Sequence, residues 1–153
     1  MKDFYVRIIS DACSDIYPKN TLSNFSNYLG NPLKLPKHEN WKVSLHSIVC
    51  SNHIFNSRKI NFLKIECDEV HSRFYLGKDL SIHARKAYNP EKSRVHFFTP
   101  LHKEYFALSS DEITKLTIKI TSDEKQDSEY RDSLKFYRGP PTIVTLHFKR
   151  FDK

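Results

Sequence analysis

Glycine is nearly missing from this chain: Gly30, Gly77 and Gly139 are the only three in 153 residues. Tight two-residue hairpins built on glycine are therefore few. The turns fall to Asn, Asp, Ser, Lys and the seven prolines, and longer loops are expected. Three isolated glycines also exclude a glycine-rich phosphate cradle. No apolar run approaches the ~20 residues of a membrane-crossing helix, so no membrane span is expected. No secretory leader is read ahead of the first strand pattern, and the three cysteines, Cys13, Cys50 and Cys67, cannot all pair within the chain. A reduced compartment, cytoplasm or nucleus, is the expectation. Lysines and arginines are scattered with no run of four, which argues against a basic tail. No Gly-x-Ser-x-Gly elbow is present.

What is present suits strands. Hydrophobic residues make up 39% and aromatics 13% of the chain. Alanine and methionine are scarce, so the core must come from Phe, Tyr, Ile and Leu, types that favour strands over helices. A chain of this length fits one domain, residues 1–153, and buries roughly 70% of the surface its unfolded form exposes. Net charge is +7. That excess suits an acidic partner (nucleic acid, an anionic membrane or an acidic protein), or simply a soluble basic surface.

The organising stretch runs from Trp41 to Val49. Apolar Trp41, Val43 and Leu45 alternate with polar Lys42, Ser44 and His46, the period-2 pattern of a half-buried strand around the only tryptophan. Phe4 to Ser10 predicts a strand with Phe4, Val6 and Ile8 on one face. Asn20 to Leu29 is read as an extended edge strand, and Gly30-Asn31-Pro32 as a break. Lys59 to Cys67 alternates on Leu63, Ile65 and Cys67, and His71 to Leu76 is a further strand turning at Gly77-Lys78-Asp79. Ser81 to Lys92 has helical periodicity. Arg94 to Thr99 is read as a strand on Val95 and Phe97. Glu112 to Thr121 directs Leu116, Ile118 and Ile120 inward. Ser122 to Ser133 is an exposed loop, and Leu134 to Tyr137 a short strand. Thr142 to Phe151 alternates Val144, Leu146 and Phe148 against Thr145, His147 and Lys149. About eight short strands with little helix predict an all-β fold, an antiparallel β-sandwich or barrel.

Few constellations suggest chemistry. Cys50-x2-His53-x13-Cys67-x3-His71 has zinc-like spacing. Yet Cys67 falls on the alternation of its strand, where a core residue belongs, and this Cys–His order matches no zinc finger. We read the pattern as structural and expect no metal and no cofactor. His46, His96 and His147 take outward strand positions, the place of surface polarity. The acidic pairs Asp68-Glu69, Asp111-Glu112 and Asp123-Glu124 lie at strand ends or in loops and are read as solvated. No residue is assigned a catalytic role, and an enzyme is not expected. Basic residues interleave with aromatics at Arg73-Phe74-Tyr75 and Lys135-Phe136-Tyr137-Arg138, a pattern that stacks single-stranded nucleic acid in some β-barrels and also marks any half-buried strand.

The order of several segments resembles a known family. Phe4-Tyr5-Val6, Ser10-Asp11-Ala12-Cys13-Ser14 and the box Tyr17-Pro18-Lys19-Asn20-Thr21-Leu22-Ser23-Asn24-Phe25 are similar to the start of Polinton (Maverick) and adintovirus minor capsid proteins. Leu29, Pro32-Leu33-Lys34-Leu35 and Trp41-Lys42-Val43-Ser44-Leu45 resemble the segment that follows there. Glu112 to Ile120 and Gly139 to Arg150 resemble the closing strand pair. Together these cover about half of the chain. Many relatives are longer between the tryptophan strand and the closing strands.

The resemblance implies a single jelly roll of about eight strands, acting as a penton-like subunit at icosahedral five-fold vertices of a DNA virus or virus-like element. It implies a homo-oligomer, a pentamer, in contact with the major capsid protein through loops such as Ser122 to Ser133. The place would be the virion, after synthesis in host cytoplasm or nucleus, and the basic charge would face packaged DNA without sequence preference. The reading that competes with it is a nucleic-acid-binding β-barrel using the basic, aromatic-interleaved strands.

Overall fold

The computed structural model describes residues 2–51, 63–70, 73–76, 95–100, 102–122 and 140–152. In chain order the strands are β1 (Asp3–Ile9), β2 (Asn24–Lys34), β3 (Trp41–Ser51), β4 (Leu63–Cys67), β5 (Phe74–Leu76), β6 (Val95–Phe98), β7 (Phe106–Ala107), β8 (Glu112–Ser122) and β9 (Ile143–Arg150). A single 3-10 turn, Lys37–Glu39, precedes β3. It ends at Asn40, whose φ of 51° lies in the left-handed region that asparagine tolerates.

With the two-residue β7 set aside, the strands pair first with last and so on inward. β1 pairs with β9, β2 with β8, β3 with β6 and β4 with β5, all antiparallel. This is one long hairpin of strand pairs. Wrapping it brings β9 against β3 and β8 against β4. Two sheets result: sheet A in the order β1-β9-β3-β6, with β7 also on β3, and sheet B in the order β2-β8-β4-β5. The expected all-β sandwich is therefore observed, with the strand order of a jelly roll.

Alternation explains the core. Ile8, Val144, Leu146 and Phe148 of sheet A face Phe25, Leu63, Ile65, Leu116 and Ile118 of sheet B, and all are buried. Each such side chain contributes about 1.5–3 kcal/mol relative to exposure. Phe4 stacks on Phe148 with ring centroids 5.1 Å apart and touches Trp41 at 5.5 Å. Trp41 thus closes one end of the core and is itself only half-buried, its Nε1–H donating to Glu39 Oε2 at 2.8 Å.

Two readings are corrected by bulges. His46 has no partner across the β3–β9 ladder: Leu45 pairs with Leu146 and Ser47 with Thr145. That extra residue reverses the parity of β3, so Ile48 and Cys50 turn inward after Leu45. Phe98, opposite Ile48, follows and is buried, whereas Phe97 is only half-buried. Gly30-Asn31-Pro32 does not break the chain. It lies within β2, an edge strand, where the register shifts between Tyr28 and Leu33. The arch is exposed, and an edge accommodates its proline. The predicted helix over Ser81 to Lys92, the Gly77-Lys78-Asp79 turn, the Ser122 to Ser133 loop beyond Ser122 and the Leu134 to Tyr137 strand lie outside the described residues.

Polar groups are matched where the sheets meet. Ser10 and Thr142 are buried at the corner between β1 and β9. The Thr142 N–H donates to Ser10 Oγ at 2.9 Å, and Thr142 Oγ1–H donates to the Leu22 carbonyl at 2.6 Å.

Candidate functional site

Three outward rows of sheet A follow from the register. Asp3, Lys149, Lys42 and Ala107 form one row, Tyr5, His147 and Ser44 the next, and Arg7, Thr145 and Ser47 the third. Over the middle row lies the segment ahead of β7. β6 pairs with one end of β3 and β7 with the other, so the chain between them passes beside the sheet and carries Lys103 and Tyr105.

His147 is the centre. It stands on the outward parity predicted for it, yet it is only 5% exposed, so the expectation of surface polarity is overturned. Alternation predicts the face of a strand, not what later covers that face. Here Tyr5 stacks flat on the imidazole, 4.4 Å away at 11°. Tyr105 Oη lies 2.7 Å from Nδ1, and Asp3 Oδ2 lies 3.2 Å from Nε2. A neutral ring with its hydrogen on Nε2 satisfies both, donating to Asp3 and accepting from the phenol. Burial raises the Tyr105 pKa. The phenol is held as a donor, the opposite of an activated nucleophile.

His46, the bulge residue, meets the edge of Tyr5 at 4.9 Å. Its Nδ1 is buried with no hydrogen-bond partner among the described residues. Desolvation, then the nearby charge of Lys103 and that of His147 when both rings are protonated, push its pKa below the usual histidine value. On the other side Tyr105 meets Phe151 edge-on at 5.1 Å. The Nζ atoms of Lys42 and Lys149 each lie 5.4 Å from the Phe151 ring centroid, within cation–π range. The site is thus a band of rings, His46–Tyr5–His147–Tyr105–Phe151, with two ammonium groups at one end.

The cysteines of the zinc-like pattern are core residues, as alternation suggests for Cys67. Cys50 on β3 and Cys67 on β4 are buried and free, and burial pushes both thiols up to about 12. His53 and His71 lie outside the described residues. Among the described residues no three His, Cys, Asp or Glu side chains gather as metal ligands.

Within Arg73-Phe74-Tyr75, the Phe74 ring is not free to stack. Phe74 points inward against Phe106, with ring centroids 5.4 Å apart, and Arg73 Nε pairs with Glu66 Oε1 at 2.9 Å. Tyr75's side chain, His96's side chain and the Lys135 to Arg138 pattern lie outside the described part. Asp68, Asp111 and Glu112 are exposed, and Asp123-Glu124 is undescribed.

Sequence reasoning placed Tyr5, His46, His147 and Phe151 on strands but singled out neither Tyr105 nor the band. The signal was there in part: Tyr5, His46 and His147 all sit at outward positions, and only the pairing of β1 with β9 and of β9 with β3 brings them together. Among the described residues no helix is long and apolar enough to cross a membrane. No family model, no curated protein and no solved structure matches the chain.

Proposed function

We propose that the protein is a structural subunit, a jelly-roll building block of a viral capsid in a minor, penton-like position at the vertices. One observation carries this reading: among the described residues, with the two-residue β7 set aside, eight strands wrap as a single hairpin into two facing layers, an architecture that recurs in capsid shells. The segments resembling Polinton and adintovirus minor capsid proteins support it by where they fall. The Tyr17 to Phe25 box leads into β2, Trp41 to Leu45 opens β3, Glu112 to Ile120 lies in β8, and the Gly139 to Arg150 segment ends in β9. They occupy the inner strands of sheet A and two neighbouring strands of sheet B. The outer-face band holds its rings by mutual contact and keeps its phenol protonated, which suits a surface built for shape.

Five copies around a vertex form a closed head-to-tail ring, each subunit presenting two different surfaces to its neighbours. The major capsid protein is the second partner, and the virion is the place of action. Native mass measurement of the full chain tests the reading, with imaging of the same sample. Closed five-fold rings support it. A monomer at all concentrations that binds one DNA sequence in preference to others overturns it in favour of a nucleic-acid-binding β-barrel.

A further inference from the structure

Lys42 and Lys149 stand directly opposite one another on the β3–β9 ladder. Like charges in that relation repel. Among the described residues no carboxylate lies within ion-pair distance of either one. Asp3, across from Lys149 on the other side, turns its carboxylate to His147 instead. Both ammonium groups converge on the Phe151 ring, and the exposed Arg7 and Lys103 extend the same face. Sheet B is different. There Lys64 and Arg73 share Glu66, at 3.7 and 2.9 Å, and Lys119 stands directly opposite that same Glu66.

We infer that the outer face of sheet A, centred on Lys42 and Lys149, binds the phosphate backbone of nucleic acid without reading sequence. The unneutralised cations call for closely spaced anions, and the choice of nucleic acid as their source rests on the capsid reading above. Base stacking is not the mode. The Phe151 ring beside the lysines already carries two ammonium groups and the edge of Tyr105, and Tyr5, 53% exposed one row away, is stacked on His147, so neither ring lies free between the two ammonium groups. Single strands and duplexes should therefore bind alike, with affinity falling steeply as salt rises.

Fluorescence anisotropy tests this on the full chain, using labelled mixed-sequence DNA as a single strand and as a duplex of equal length. The unaltered protein is expected to bind both. K42E/K149E should weaken binding at least about tenfold and flatten the salt slope by about two units, one for each phosphate left without its lysine. K115E/K119E, on the exposed face of β8, changes net charge equally and should stay within about threefold. K42R/K149R should retain binding. Trp41 fluorescence confirms folding, and K42Q/K149Q replaces any variant that fails that check. Equal losses from the two glutamate pairs would show net charge alone at work and overturn the inference. So would polyglutamate displacing the DNA as well as unlabelled DNA does, which would make the occupant an acidic protein. Mass measurement on the same samples separates the two proposals. Five-fold rings without the localised DNA response overturn only this inference, and a monomer with the full response counts only against the capsid reading.

Discussion

The side-chain amide of Asn27 bonds the backbone of Ile9 as a neighbouring strand would. The Ile9 N–H donates to Asn27 Oδ1 at 2.8 Å, and Asn27 Nδ2 donates to the Ile9 carbonyl at 2.8 Å. Asn27 belongs to β2 in sheet B and Ile9 to β1 at the edge of sheet A, so one amide links the two layers. Asn20 repeats the device on β2, accepting from the Ser26 N–H and donating to the Ser26 carbonyl, both at 2.9 Å. Edge strands with open backbone groups invite pairing with other chains. Here two asparagines occupy part of the β1 and β2 edges.

Removing the first of these amides should be costly. Asn27 is buried, and Asn27→Ala leaves the Ile9 N–H without its partner and the Ile9 carbonyl with only the Ala12 N–H. A loss of about 1–3 kcal/mol is expected in urea unfolding. Asn27→Leu, similar in volume, should recover little, because the orphaned Ile9 N–H and not the missing volume carries the effect.

His46 makes stability depend on pH. Its folded pKa lies below the ordinary histidine value of 6.5, so the folded state prefers the neutral ring. Stability is full above 6.5 and is lost as pH falls below it, levelling off once the folded-state ring is also protonated. The groups that act on it are Tyr5, whose ring lies 4.9 Å away, and Lys103 and His147, whose charges oppose its protonation. Urea midpoints measured between about pH 5 and 8 should fall on the acid side, and His46→Gln should flatten that part of the curve.

Tyr105→Phe tests the cover over sheet A. It removes the only donor to His147 Nδ1 among the described residues while keeping the ring contacts with His147 and Phe151. A loss of about 1–2 kcal/mol is expected. A double-mutant cycle with His147→Gln should show coupling of at least about 0.5 kcal/mol, since the two side chains share one hydrogen bond.

Phe148 tests the core. It is wholly buried and stacked on Phe4. Phe148→Ala should cost about 3–5 kcal/mol and Phe148→Leu clearly less. Trp41, which touches Phe4, reports the transition by its fluorescence.

The inward faces of β1, of β9 and of β8 from Leu116 onward were legible from alternation because each keeps one parity there, whereas Ile113, buried on the other parity of β8, was not. Ile8, Leu116, Ile118, Val144, Leu146 and Phe148 are buried where alternation puts them. β3 was half legible. Nothing in Leu45-His46-Ser47-Ile48 marks a bulge, since the extra residue is defined only against β9, and the parity of Ile48, Cys50 and Phe98 hangs on it. The arch at Gly30-Asn31-Pro32 misled for a related reason: turn residues also serve an edge strand that bends without ending. The ring band was least legible. Its members lie far apart in sequence, and a period-2 pattern records neither the layer above a sheet nor the charge that gathers on it.

The thiols give the molecule a built-in clock. Thiolates, not thiols, react with alkylating agents. Burial holds Cys50 and Cys67 protonated between the layers, while Cys13 is half-buried in the turn after β1. Iodoacetamide should therefore add once to the native chain, and the second and third adducts should appear only when the sandwich separates. Counting mass increments over time thus reads the rate of opening directly, with no label and no substitution.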